Sequence, residues 1–265
     1  MLNKVKRKQI FLKGLWPQQE TKTFHTSGFS LQYEDASMLI LTKRKDGESC
    51  VVSFSGVGHG TGGIDLQKPE FMSGGSLGSQ VFVIDKRRSW GNQIDWERLR
   101  DIVSLFCDGQ NIVCIGNSMG GFLALLGSRY LNASHVAAFA PQWSVDPRIV
   151  PNEHRWDKYV DNIDVFVHSD LRKSFVSNTK YTVVFGGDPD DSEQRNLFFK
   201  FTNPAADGNI LLLTIPGAGH NVAKYLKEKG VLPSIISQGL TAGLHNFELA
   251  GLQSDFDLSF RRTVM

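Results

Sequence analysis

The fold turns on residues 111–126, Asn111-Ile112-Val113-Cys114-Ile115-Gly116-Asn117-Ser118-Met119-Gly120-Gly121-Phe122-Leu123-Ala124-Leu125-Leu126. The run from Asn111 to Ile115 reads as a buried strand, and the apolar series from Gly120 opens a helix that continues to Leu131. Between them lies a G-x-S-x-G pattern, Gly116 to Gly120. A strand that passes directly into a tight turn and then a helix leaves the central serine strained and exposed at the top of a sheet. Small flanking residues are needed because the strand and helix backbones approach closely there. The helix N-terminus favours negative charge beside the Ser118 hydroxyl. The plainer reading is a serine that only caps this helix.

Outward from this segment, short apolar runs alternate with amphipathic ones. Strands are expected near Met38 to Thr42, Cys50 to Ser55, Gln80 to Asp85, His135 to Ala140, Tyr181 to Gly186 and Asn209 to Ile215. Helical spacing appears over Asp95 to Cys107, Met119 to Leu131, Ser192 to Phe201, and Asn221 to Leu240, the last interrupted at Gly230 and Pro233. Such alternation means βαβ units: an α/β fold with a mainly parallel central sheet and helices on both faces. The chain reads as one domain over residues 1–265. Residues 143–178 fit the alternation poorly and read as an insertion or lid over one edge of the sheet.

A hydroxyl becomes a nucleophile when a base takes its proton and an acid orients that base. In a parallel sheet these partners lie beyond later strands at the same carboxyl edge. His220 stands there, in the loop Pro216-Gly217-Ala218-Gly219-His220 after the strand ending at Ile215. The preceding strand ends in Gly186-Gly187-Asp188-Pro189-Asp190-Asp191. Asp190 is the preferred acid and Asp188 the second choice, while Asp191 reads as the cap of the following helix. The order serine, acid, histidine is that of nucleophile-elbow hydrolases.

Two further glycine patterns are set aside on context. Gly74-Gly75-Ser76-Leu77-Gly78 repeats the serine motif but precedes a strand where a helix is required. Gly58-His59-Gly60-Thr61-Gly62-Gly63 matches a dinucleotide fingerprint, yet Ile64 to Pro69 has no helical period, and no Gly-Lys-Ser/Thr follows for a phosphate loop. No cofactor and no metal are expected, since the Asp188, Asp190, Asp191 cluster lacks a calcium-loop glycine or His/Cys spacing.

Taken together, the elbow, the Gly187-Asp188-Pro189-Asp190 turn and Gly217-Ala218-Gly219-His220 resemble the α/β-hydrolase fold, over roughly residues 38–240. A looser resemblance, through Gly116 to Phe122 followed by Phe139-Ala140-Pro141-Gln142, is to small uncharacterised hydrolases of bacterial polysaccharide and cell-surface glycan contexts. The resemblance implies Ser118 as nucleophile, Asp190 as acid and His220 as base. It implies an oxyanion hole from the N–H groups of Met119 and Val57, the latter by setting Ser55-Gly56-Val57 against the His-Gly-x of many relatives. Serine stands here where histidine is common. Arg88, Trp90 and Gln142 are expected to line the substrate site, with Arg88 gripping an anion and Trp90 stacking on a sugar or aryl group. The expected activity is cleavage of an ester or thioester through an acyl-enzyme. The alternatives are an acyltransferase acting on a glycan or other acceptor, and a non-catalytic binding protein of the same fold.

Composition supports this frame. Of 265 residues 41% are hydrophobic and 21% charged, which suffices for a full core. Lysine plus arginine at 29 against aspartate plus glutamate at 27 leaves a net charge of +2, so the electrostatic argument for nucleic acid is absent. The expected partner is a small-molecule or glycan-linked acyl substrate. Cys50, Cys107 and Cys114 read as unpaired apolar residues of a reducing compartment. The basic N-terminus is followed by no apolar core of a signal peptide, and no run reaches the ~18 residues that span a bilayer. A cytoplasmic location is the expectation.

Overall fold

The computed structural model describes residues 28–61, 64–67, 70–71, 77–202 and 209–241. Among these residues ten strands and six helices follow one another as β1 (Ser30–Glu34), β2 (Met38–Lys43), β3 (Ser49–Phe54), β4 (His59–Thr61), β5 (Ile64–Leu66), β6 (Gly78–Asp85), α1 (Trp96–Phe106), β7 (Asn111–Asn117), α2 (Met119–Leu131), β8 (His135–Phe139), α3 (Asp157–Val160), β9 (Lys180–Gly186), α4 (Ser192–Phe201), β10 (Ile210–Ile215), α5 (Val222–Glu228) and α6 (Leu232–Thr241). A 3₁₀ turn, Pro189–Asp191, precedes α4.

The main sheet has eight strands in the order β1-β2-β6-β3-β7-β8-β9-β10. From β6 to β10 every neighbouring pair is parallel, while β1 and β2 add an antiparallel edge. That edge includes β1, which alternates exposed and half-buried residues and lacks the apolar run that marks a buried strand. Along β3, Cys50, Val52 and Phe54 pack toward the helices α1 and α2, whereas Val51 packs toward α5 and α6. The two-residue period thus fills a core on each face of the sheet.

The expected helix over Asn221 to Leu240 divides where Gly230 takes a φ of 74°, and Pro233 falls in the first turn of α6. His59–Thr61 and Ile64–Leu66 pair as a short antiparallel ribbon, so a strand and not a helix follows that glycine pattern. Ser76 lies outside the described residues. Gly78 begins β6, so a strand does follow that second serine motif.

Cys50 on β3 and Cys107 after α1 form a disulfide with a Cα separation of 5.7 Å, and Cys114 is free and buried. This corrects the expectation of three unpaired thiols. The two partners are 57 residues apart and meet only once α1 packs back on β3, which spacing in sequence does not reveal. No described helix is long and apolar enough to cross a membrane.

Candidate active site

Register places the site before any side chain does. Phe54 on β3 pairs with Gly116 on β7, and Asn117 pairs with Phe139 on β8. Ile215 on β10 pairs with Gly186 on β9. The chain therefore leaves β3, β7, β8, β9 and β10 at one edge of the sheet, and the candidate residues stand in those exits.

Ser118 joins β7 to α2 with φ 55° and ψ −123°, a conformation that non-glycine residues rarely adopt. A Cβ on Gly116 would overlap the Gly120 carbonyl, and one on Gly120 would overlap the Phe54 carbonyl. The two glycines allow this crossing, and the Ser118 N–H donates to the Phe139 carbonyl at 2.8 Å to hold it. The Ser118 side chain makes no capping bond to its helix. The hydroxyl lies instead 2.8 Å from His220 Nε2 and 3.1 Å from Gln142 Nε2.

His220 Nδ1 is 2.8 Å and 3.0 Å from the two carboxylate oxygens of Asp191. An ionised carboxylate only accepts, so Nδ1 carries the proton and Nε2 accepts from the Ser118 hydroxyl. Asp191, not Asp190, faces the imidazole. Asp188 accepts the Asp190 N–H at 3.0 Å and so caps the 3₁₀ turn, Asp190 is exposed, and the third residue of the turn points back under His220. Asp191 forms no capping bond with α4. The signal for this was present: aspartate before proline is the pattern of a cap followed by a first helical residue, which already uses Asp188.

Asp191 has a second partner that no sequence motif marks. Arg155, in the segment between β8 and β9, donates to Asp191 Oδ1 at 2.9 Å and also pairs with Glu153. Burial pushes the Asp191 carboxyl up, but the hydrogen bonds and charges of His220 and Arg155 outweigh it and hold the group below the ordinary carboxylate range. Gln194 on α4 anchors the same segment: its Oε1 accepts the Trp143 N–H at 2.7 Å, and its Nε2 donates to the Ser144 carbonyl at 3.0 Å. Trp143, Val145, Val160, Ile163 and Leu171 join the main core, so this segment is packed into the sheet's helical layer. Trp156 lies tilted against His220 with ring centroids 5.7 Å apart.

After β3, the Gly56 N–H donates to Glu70 at 3.0 Å and the Gly56 carbonyl accepts from Gln67 at 3.0 Å. Arg88 Nε donates to the Val57 carbonyl at 3.2 Å. None of these bonds uses the Val57 N–H, and Met119 begins α2, where N–H groups have no partner within the helix. Both are backbone groups at the edge that carries Ser118. Burial pushes the Glu70 carboxyl up to about 7, against the opposing effect of the Gly56 N–H.

The three expected lining residues divide. Gln142 touches the Ser118 hydroxyl directly. Trp90 is fully buried, with its indole N–H 3.0 Å from Gln142 Oε1, so it presents no face for stacking on a sugar. Arg88 turns toward the Val57 and Lys86 carbonyls and the Tyr159 ring. Among the described residues no group of His, Cys, Asp and Glu side chains could hold a metal ion.

No protein-family model and no curated protein matches the sequence. Among solved structures, the chain is similar to the capsule O-acetyltransferase of Neisseria meningitidis serogroup A, with 17% identity and a TM-score of 0.61 over 82% of this chain and 98% of that one. It is similar to a chain of the glycosylation-associated Gap123 complex of Streptococcus agalactiae, with 13% identity and a TM-score of 0.56 over 82% of this chain and 47% of that one. An α/β serine hydrolase without a lid from Xanthomonas campestris matches with 13% identity and a TM-score of 0.48, over 77% of this chain and 90% of that one. At these identities the likeness is one of fold. The parallel sheet, its antiparallel edge and the serine elbow constitute the α/β-hydrolase fold expected from the sequence.

Proposed function

We propose that this chain is an acyl-handling enzyme that carries its substrate's acyl group on Ser118. The observation that supports this most directly is the continuous hydrogen-bonded series from the Ser118 hydroxyl through His220 to Asp191, at 2.8 Å on each side of the imidazole. His220 takes the hydroxyl proton as Oγ bonds to the carbonyl carbon of an ester or thioester, and returns it to the departing alcohol or thiol. Asp191 holds the ring and stabilises the imidazolium. The N–H groups of Met119 and Val57 receive the developing oxyanion, each such donor being worth about 3 to 4 kcal/mol. Delivery of the acyl group to water makes the enzyme an esterase or thioesterase.

Transfer to a glycan hydroxyl is the second reading, and the likeness to the Neisseria capsule O-acetyltransferase over 98% of that chain favours it. The test is labelling with a fluorophosphonate probe, which bonds to an activated serine. The wild type is expected to label at Ser118 and Ser118→Ala to lose the label; equal labelling of both overturns the assignment. Product formed from an activated acetyl donor only when an oligosaccharide acceptor is supplied selects transfer over hydrolysis.

A further inference from the structure

Two partners meet the Ser118 hydroxyl, one accepting its proton and one donating to its oxygen. Ser118 Oγ gives its own proton toward His220 Nε2 and, on its other side, meets Gln142 Nε2 at 3.1 Å. The orientation of this amide is settled by its far end. Gln142 Oε1 faces the Trp90 indole nitrogen at 3.0 Å, and an indole N–H can only donate, so the amide oxygen must face Trp90 and the NH₂ must face Ser118. Gln142 and Trp90 are both buried. Trp90 is held in turn by the buried carboxylate of Asp85, which accepts the Ser89 N–H and hydroxyl at 2.9 Å and the Gly91 N–H at 3.1 Å. This keeps the 86–91 loop in a form where Trp90 has a φ of 49°.

We infer that Gln142 is a catalytic residue that makes Ser118 a better leaving group, so that the acyl-enzyme gives up its acyl group readily to a weak acceptor such as water or a sugar hydroxyl. The inference rests on the acyl-enzyme reading above. In the acyl-enzyme, Oγ is an ester oxygen whose lone pair is shared with the carbonyl, and it accepts an N–H poorly. In the second half-reaction the acceptor oxygen bonds to the acyl carbon and its proton passes to His220 Nε2. The carbon–Oγ bond then breaks, its electron pair stays on Oγ, and His220 returns the proton there. Negative charge grows on Oγ during that departure, and hydrogen bonds to charged oxygens are about twice as strong as neutral ones. Gln142 therefore stabilises the transition state for departure relative to the acyl-enzyme. In formation of the acyl-enzyme the free Ser118 hydroxyl already accepts the amide N–H in the ground state, so the same bond lowers that barrier less.

Gln142→Met keeps the length of the side chain and removes the donor. Using p-nitrophenyl acetate as probe, pre-steady-state release of nitrophenol reads acylation, and the steady rate together with the intact mass of acetylated protein reads deacylation. The variant is expected to acylate within about threefold of wild type, to deacylate roughly 10- to 100-fold more slowly, as loss of a hydrogen bond to a charged group implies, and to accumulate acetyl-Ser118. Trp90→Phe, which frees the amide to turn, should produce the same redistribution in milder form, with thermal melts establishing that each variant is folded. Equal slowing of both steps, slowing of neither, or a rise in KM alone overturns the inference. Nitrophenol release that persists unchanged in Ser118→Ala overturns the acyl-enzyme reading itself, which keeps the two failures distinct.

Discussion

The nucleophile side and the acid side of the site are built in opposite ways. Ser118 is placed by its own neighbours in sequence: β7 delivers it, Gly116 and Gly120 let the chain cross, and α2 carries the chain away. Asp191 is placed by a 3₁₀ turn of three residues and is then shared between His220 and Arg155, which lies 36 positions away in the segment between β8 and β9. A local motif makes a site legible from a few residues. A site that depends on distant charges becomes legible only when the chain is folded.

The largest test of this contrast lies among three adjacent aspartates. Asp191→Asn leaves the turn intact but removes the charge that orients the imidazole, so kcat should fall by about 10³- to 10⁴-fold, the loss expected when a triad acid becomes an amide. Asp190→Asn should change kcat by less than about threefold, since its side chain is exposed. Steady-state kinetics on any ester that the wild type turns over decides the matter. A large loss in Asp190→Asn with none in Asp191→Asn would reverse the assignment.

The same contrast explains how far the sequence can be read. The parallel sheet, the elbow and the histidine follow from period and chain order, because β7, β10 and the Gly217 to His220 loop each have their signal within about ten residues. The proline after Asp188 marks that aspartate as a cap, but nothing in the sequence ranks Asp190 against Asp191. The rotation of a 3₁₀ turn, about 120° per residue, chooses between them. Trp90 is expected from its strand-end position to face a substrate, yet Asp85 gathers N–H groups from the 86–91 loop and turns the indole inward. The Cys50–Cys107 pair likewise depends on the packing of α1 against β3.

Glu70 carries this dependence to the nucleophile side. It accepts the Gly56 N–H across 14 residues, and burial pushes its carboxyl up from 4.5 to about 7. A carboxyl raised on folding favours the protonated folded state, so its effect on stability is full below its unfolded value and is lost as pH rises from about 4.5 to about 7. Glu70→Gln keeps an oxygen for the Gly56 N–H and removes the titration. Its stability should match the wild type near pH 4 and exceed it by about 3 kcal/mol near pH 8, since each tenfold change in proton affinity on folding is worth about 1.4 kcal/mol. Denaturant unfolding at the two pH values checks this, and a gap that is the same at both would place the Glu70 carboxyl in ordinary solvation.

The smallest expected effect probes the acid side most finely. Arg155 shares the charge of Asp191 with His220, so the imidazolium receives only part of its counter-ion's field while the guanidinium is present. Removing Arg155 alone would leave Glu153 and Asp191 buried without their partner, a loss of the kind that costs several kcal/mol and confuses stability with catalysis. The double variant Arg155→Met with Glu153→Gln removes both charges and retains an acceptor for Gln194 Nε2, which lies 3.3 Å from Glu153. Without the guanidinium Asp191 loses one of the partners that hold its carboxyl below the ordinary range, and the whole of its charge is directed at the imidazolium that forms as Ser118 gives up its proton, so kcat/KM on the pH plateau should rise by about threefold or less. The change is small because the bonds from Asp191 to His220 and from His220 to Ser118 remain. A plateau that falls together with the melting temperature would mean that Arg155 serves only to pack the segment between β8 and β9. A plateau that rises while the melting temperature holds would mean that this segment, the part of the chain least regular in sequence, tunes the charge that Asp191 presents to the imidazole.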